Sequence, residues 1–291
     1  DVTATKALLS RPSNNQLLRS PSAILGFISI GLSGTLVGTL DPTLSYRLSA
    51  PPFKYSATQV GFFFTFSSIV YVVVSIPVGR IADAHKNNSR LYKAITCTGF
   101  LALFLSFALL APIGTSALGF TQSDGLQAAF NNAPYAYLSL VLKGIGSALS
   151  NLCIYPDLMI GMPPDDAQLQ ATISSLWNAA YAVGWAAGPL FGAPLYSALK
   201  AHALCLYPLD DSANVCESAS GESASGCCYD TWKAENGFDG FGTVTALLSL
   251  AYAIVLAFAA ALNISGRRNA VASNEPLAPL TPASPSSGPV Q

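Results

Sequence analysis

Gly79-Arg80-Ile81-Ala82-Asp83-Ala84-His85-Lys86-Asn87-Asn88-Ser89-Arg90 is a polar break between two apolar runs, residues 58–79 and 91–112. About 20 mainly apolar residues are needed for a helix to cross the ~30 Å hydrocarbon core, and each run is that long. The pattern recurs outward in both directions, at 22–44, 134–156, 171–198 and 240–264. A membrane β-barrel would show many ~10-residue alternating segments. These runs are continuous and rich in Leu, Ala, Phe and Gly, so the expectation is an all-α membrane protein with six transmembrane helices.

Composition agrees. The 291 residues are 51% hydrophobic and 10% charged, against about 25% charged for an ordinary soluble domain. That excludes a water-soluble enzyme of normal surface and a collagen-like fibre. A net charge of −1 provides no basic field for nucleic acid. The chain opens on Asp1 rather than Met, and no secretory pattern precedes the first run. Its expected organisation is a cytoplasmic linker over 1–21, a bundle over 22–266 and a disordered tail over 267–291. The tail reading rests on a Pro-, Ser- and Ala-rich composition with Glu275 as the sole charge of residues 270–291.

Basic residues set the orientation. Lys6, Arg11, Arg19, Arg80, Lys86, Arg90, Lys93, Arg267 and Arg268 fall on one side, and Arg47, Lys54, Lys200 and Lys233 on the other. The richer side is expected to be cytoplasmic and to hold both termini, in the plasma membrane or an intracellular vesicle membrane. Cys205, Cys216, Cys227 and Cys228 then share the long connection 199–239 on the opposite side, where disulfides are permitted. Four cysteines allow three pairings. Free thiols are the alternative. The Asn-x-Ser sequons at Asn87 and Asn263 fall on the cytoplasmic side and should be unused.

Charges inside the runs draw most attention. Lys143 lies about nine residues into the fourth run, a depth of ~13 Å at ~1.5 Å per residue. An ammonium near the membrane centre costs roughly 2.5–3.5 kcal/mol. A facing acid would compensate it, and Asp41 in Leu40-Asp41-Pro42-Thr43-Leu44 is the one acid at comparable outer depth. A Lys143–Asp41 pair, direct or through water, is therefore expected. The alternative is a shifted boundary that leaves Lys143 interfacial. Asp41 itself reads either as a proton or cation site or as a cap ahead of Pro42.

Other positions carry two readings each. Asn151 and Asn178 are amides inside runs, which must find partners whether a substrate or another helix. Tyr155 can anchor at the interface or aim its hydroxyl into a cavity, and Pro156 should break the helix beside it. Gly34 and Gly38, and Gly188 and Gly192, have the small-xxx-small spacing of tight helix packing, while Pro189 marks a bend. In the opening stretch Gly79 should admit a neighbouring helix, and Asp83 could meet a helix N-terminus or a basic side chain.

Gly79, Asp83 and the basic Arg90 together resemble the short cytoplasmic signature of the major facilitator superfamily. The resemblance extends in order along residues 22–266. Leu40-Asp41-Pro42-Thr43-Leu44 is similar to the acid–Pro end of the seventh helix of vesicular amine transporters. Gly144-Ile145-Gly146 with Pro156 resembles their tenth helix, and Asn178 through Gly184, Gly188 and Pro189 their eleventh. This implies the C-terminal half of a twelve-helix transporter that exchanges amines, polyamines or drug-like cations for protons. The sequence departs from the monoamine members, which carry acids in the tenth and eleventh helices. Asn151, Cys153 and Asn178 stand there instead, favouring a polyamine-type branch. Lys143 leaves an anionic or neutral substrate open. The residues implied in substrate or proton binding are Asp41, Lys143, Asn151, Tyr155 and Asn178. Gly79, Asp83, Arg90, Gly188 and Pro189 are implied in conformational change.

No phosphate-binding loop of a primary pump is present. His85 and His202 lie outside the runs on opposite sides, so no hydrolase constellation forms in the membrane. No cofactor or metal is expected. The expected partners are the lipid bilayer, a small solute with protons, and a missing six-span half in cis or a second copy. A half-length scaffold that transports nothing, or a truncated paralogue, is the second reading.

Overall fold

The computed structural model describes residues 21–49, 54–86, 88–111, 133–160, 167–206 and 227–262. Side chains are described throughout these except at 133, 199–206, 227–237 and 239. The described elements are all helices: α1 Pro21–Ser49, α2 Ala57–Ala84, α3 Ser89–Leu110, α4 Ala133–Leu152, α5 Ile154–Met159, α6 Ala167–Leu206 and α7 Cys227–Ala261.

Helix ends follow local chemistry. Ser56 and Gln59 form a reciprocal capping box at the start of α2, each satisfying a backbone N–H that the helix leaves open. α2 closes with the His85 N–H donating to Ile81 O, and the Asn88 side chain accepts from Leu91 N to start α3. The fourth expected span is divided at Cys153 into α4 and α5. Pro156 has no N–H to give Leu152 O and crowds that carbonyl, so the regular ladder stops there.

Among the described residues, five helical stretches are long and apolar enough to cross a membrane: Pro21–Ser49, Ala57–Ala84, Ser89–Leu110, Pro134–Met159 and Gly240–Ala261. The expected fifth span, 171–198, lies within α6, a continuous helix of 40 residues that is not among the five. Its Trp, Asn, Tyr, Gly and Pro residues dilute the aliphatic content. Several helices also run past the expected boundaries. α1 continues to Ser49 and takes Arg47 into its buried face, and α2 continues through Asp83. The connection expected over 199–239 narrows to 207–226, because α6 extends to Leu206 and α7 begins at Cys227. Residues 198–204, mostly Ala and Leu, favour helix, and adding a residue to an existing helix needs no new nucleus.

The packing order is set by small residues. α1 lies along α6, where Gly34 and Gly38 face the backbone of Tyr181 and Trp185. From the other side Gly184 fits against Gly31, and Gly188 against Gly38 and Thr39. A Cβ at any of Gly34, Gly38, Gly184 or Gly188 would collide with backbone, so these glycines are required by the close approach. α3 packs on α4 through Gly99 and Gly146, α7 packs on α3 and α6, and α2 lies chiefly on α4. Hydroxyls join the seams: Ser106 Oγ donates to Ser139 O, and Ser139 Oγ to Ser106 O. Ser249 Oγ donates to Phe100 O at 2.8 Å. By contrast α1 meets α2 and α4 at few points, through buried leucines that join Phe63 of α2 and Leu140 of α4 in one apolar cluster.

Candidate functional site

Asp41 of α1 and Lys143 of α4 meet where these two helices come together. Lys143 Nζ lies 3.7 Å from Asp41 Oδ1. α1 presents the carboxylate beside Pro42, and α4 presents the ammonium from its middle. The two partners are unequally covered, with the Asp41 side chain 36% exposed and that of Lys143 9% exposed. The 3.7 Å separation exceeds the ~2.7–2.9 Å of a charge-assisted hydrogen bond, so the pair is loose. Phe64 of α2 closes the far side of the ammonium, its ring centroid 5.2 Å from Nζ, at the distance of a cation–π contact. The phenol of Tyr181 on α6 lies within electrostatic reach of Asp41 and of Tyr71 on α2.

Lys143 heads a polar stripe along α4. Ser147 and Asn151 follow at successive four-residue steps and are also buried. Among the described residues, Asn151 Oδ1 is enclosed without a hydrogen-bond partner, as is Trp177 Nε1 on α6. One is an acceptor and the other a donor, and both are of the kind a polar ligand or a changed conformation would satisfy. Trp177 could have been suspected from its place in the Trp177-Asn178 pair, but no charge or spacing marked it.

The other expected site residues are placed differently. Asn178 is exposed rather than buried, and its amide donates to Ser174 O of its own helix at 2.9 Å. An in-helix bond of this kind satisfies the amide without a neighbouring helix. Tyr155 is half-buried and packs with Ile154, Leu158 and Ile173. Gly79 contradicts the expected close approach: a Cβ there would meet nothing within 4 Å among the described residues, because it lies off the α4-facing side of α2. Asp83 and Arg90 are exposed at the α2–α3 junction. Gly188 lies at the α1–α6 crossing, and Pro189 follows inside the continuous helix. Cys216 and the side chains of Cys205, Cys227 and Cys228 lie outside the described residues, as do residues 1–20 and 263–291. The described Cys97 and Cys153 are free thiols.

A second charged cluster escaped the sequence reading. Lys93 and Asp157, expected at the ends of spans, form a buried ion pair at 2.7 Å with side chains 4% and 9% exposed. Lys93 Nζ also donates to Ser22 Oγ at 3.2 Å and to Ser89 Oγ. Ser89 Oγ and Ser22 Oγ in turn donate to the two oxygens of Asp157. α1, α3 and α5 are thereby tied together at one point. A cavity of roughly single-water size lies beside the cluster, reaching Ser29 and Thr96. Among the described residues no group of His, Cys, Asp and Glu could hold a metal ion.

The family model of the Major Facilitator Superfamily matches residues 2–189 of the chain. No curated protein and no solved structure matches it.

Proposed function

This chain belongs to the Major Facilitator Superfamily, whose members carry small solutes across membranes, and from that premise we propose that it exchanges a small organic cation for protons. It is a multi-pass membrane protein. Our reading makes it the C-terminal, six-span half of a twelve-helix transporter of the vesicular amine or polyamine type. α6 is counted as the sixth span because it is 40 residues long and lies along α1. In this architecture the substrate sits between two halves near the midplane, and the halves rock to alternate access.

The observation that carries the reading is the loose Asp41–Lys143 pair between α1 and α4, with Asp41 partly exposed. Ionisable groups within spans line pathways or pair with one another, and here a carboxylate remains partly open beside aromatic rings that suit a cation. Asp41 is assigned as the substrate anchor. Asn151 and Trp177 offer a buried acceptor and a buried donor, and Tyr155 and Asn178 are assigned towards the cytoplasmic side. Gly79, Asp83 and Arg90 would work at the junction with the other half, and Gly188 with Pro189 would hold the α1–α6 pair rigid. Both termini are assigned to the cytoplasm, in the plasma membrane or a vesicle membrane.

Replacing Asp41→Asn keeps the size and removes the charge. In vesicles carrying the full-length protein, uptake of radiolabelled spermidine driven by an imposed pH gradient should vanish. Gradient-driven uptake equal to wild type would overturn the assignment.

A further inference from the structure

We infer that Lys143, not Asp41, carries the proton that leaves when a cationic substrate binds, and that Asp41 stays ionised throughout. This deepens the cation-exchange reading above and rests on it.

The inference begins from the unequal exposure of the two partners. A cation arriving from outside the bundle meets the partly exposed carboxylate of Asp41, while Lys143 is covered to 9% exposure. An amine holds its proton far more tightly than a carboxylic acid, so within the pair the proton resides on nitrogen. Asp41 then has none to give. A cation that takes the carboxylate also takes the counter-ion of Lys143. No hydroxyl or carbonyl among the described residues shares Nζ, and the Phe64 ring face is what remains to it. A buried ammonium without an anion is far less favourable than a neutral amine. Loss of one proton from Nζ to water on the exposed side of Asp41 relieves this: the N–H bond breaks, its electron pair stays on nitrogen, and one positive charge leaves as one enters. The loose 3.7 Å geometry suits an exchangeable contact, whereas the tight Lys93–Asp157 cluster, with serines on both partners, does not.

Other groups do not compete for this role. On the elements packed against α4, α1 faces Lys143 with Asp41 and α2 with Phe64. The Lys93 of α3 and the Asp157 of α5 are engaged with each other, and Cys97 donates to Ala253 O. Tyr181 of α6 and Tyr71 of α2 are phenols, which stay protonated at neutral pH.

The test uses full-length protein in a weakly buffered detergent solution with a pH-indicating dye. The probe is tetraphenylphosphonium, a permanent cation with no proton of its own. Wild type should bind it and release about one proton per cation bound. Lys143→Met should bind it and release none. Lys143→Arg, whose guanidinium does not give up its proton, should release none and bind at least about tenfold more weakly, since the arginine cannot vacate the carboxylate. Proton release from Lys143→Met equal to wild type would overturn the inference while leaving cation binding at Asp41 intact. Failure of wild type to bind, or equal binding by Asp41→Asn, would overturn the cation reading and this inference with it.

Discussion

Lys93 uses its ammonium on one carboxylate and two serines, and each oxygen of Asp157 accepts a serine in addition. Removing one partner of such a buried pair leaves the other charge uncompensated, at a cost of about 3–5 kcal/mol. Asp157→Asn or Lys93→Met should therefore lower the thermal midpoint of detergent-solubilised protein markedly. Lys93→Met combined with Asp157→Leu should recover much of the loss, because no charge is left stranded. Lys143→Met should be far milder, since the remaining Asp41 is open enough to be hydrated. The two pairs were unequally legible. Lys143 stood out because a lysine nine residues inside an apolar run needs an acid, and Asp41 was at matching depth. Lys93 and Asp157 each sat at the end of a run, where a charged residue reads as solvated, and nothing in one dimension shows α3 and α5 folding them inward. Asn178 misled in the opposite sense: within an apolar run it reads as enclosed, yet a helix surface can satisfy an amide through its own carbonyls.

Among the elements, α1 and α6 form the most intimate pair, and its glycines were readable as small-xxx-small spacing without their partners being named. Gly184→Leu or Gly188→Val should drive backbones apart and sharply reduce the monodisperse peak in size-exclusion chromatography. Gly79→Ala should leave that peak unchanged, since open space surrounds the position among the described residues. Pro156→Ala restores an N–H that can reach Leu152 O, and should straighten the α4–α5 break. Distances between spin labels at positions 149 and 160 should then approach the helical value of about 16 Å with a narrower spread. The break was visible in the sequence from Pro156 alone. The extension of α6 and α7 towards each other was not, because the polar and cysteine-bearing residues near 200–239 resemble a connection.

At the scale of the molecule, one apolar cluster runs through α1, α2, α3, α4 and α7. Small residues fix the α1–α6, α3–α4 and α2–α4 seams, while the side facing α1 across from α2 stays sparse. The assigned orientation makes a topological prediction. A membrane-impermeant maleimide should label Lys86→Cys from the cytoplasm and Lys54→Cys from the opposite side, because α2 lies between them. Labelling of both from one side would refute it. The four-residue turn between α2 and α3, capped by His85 backbone on one side and Asn88 on the other, has a consequence for biogenesis. So short a turn leaves no slack for α2 to settle in lipid while α3 waits in the ribosomal tunnel. The two must leave the translocon as a single helical hairpin. The strongly apolar surface of α2 then draws in α3 together with Lys93, whose counter-charge at Asp157 is synthesised 64 residues later.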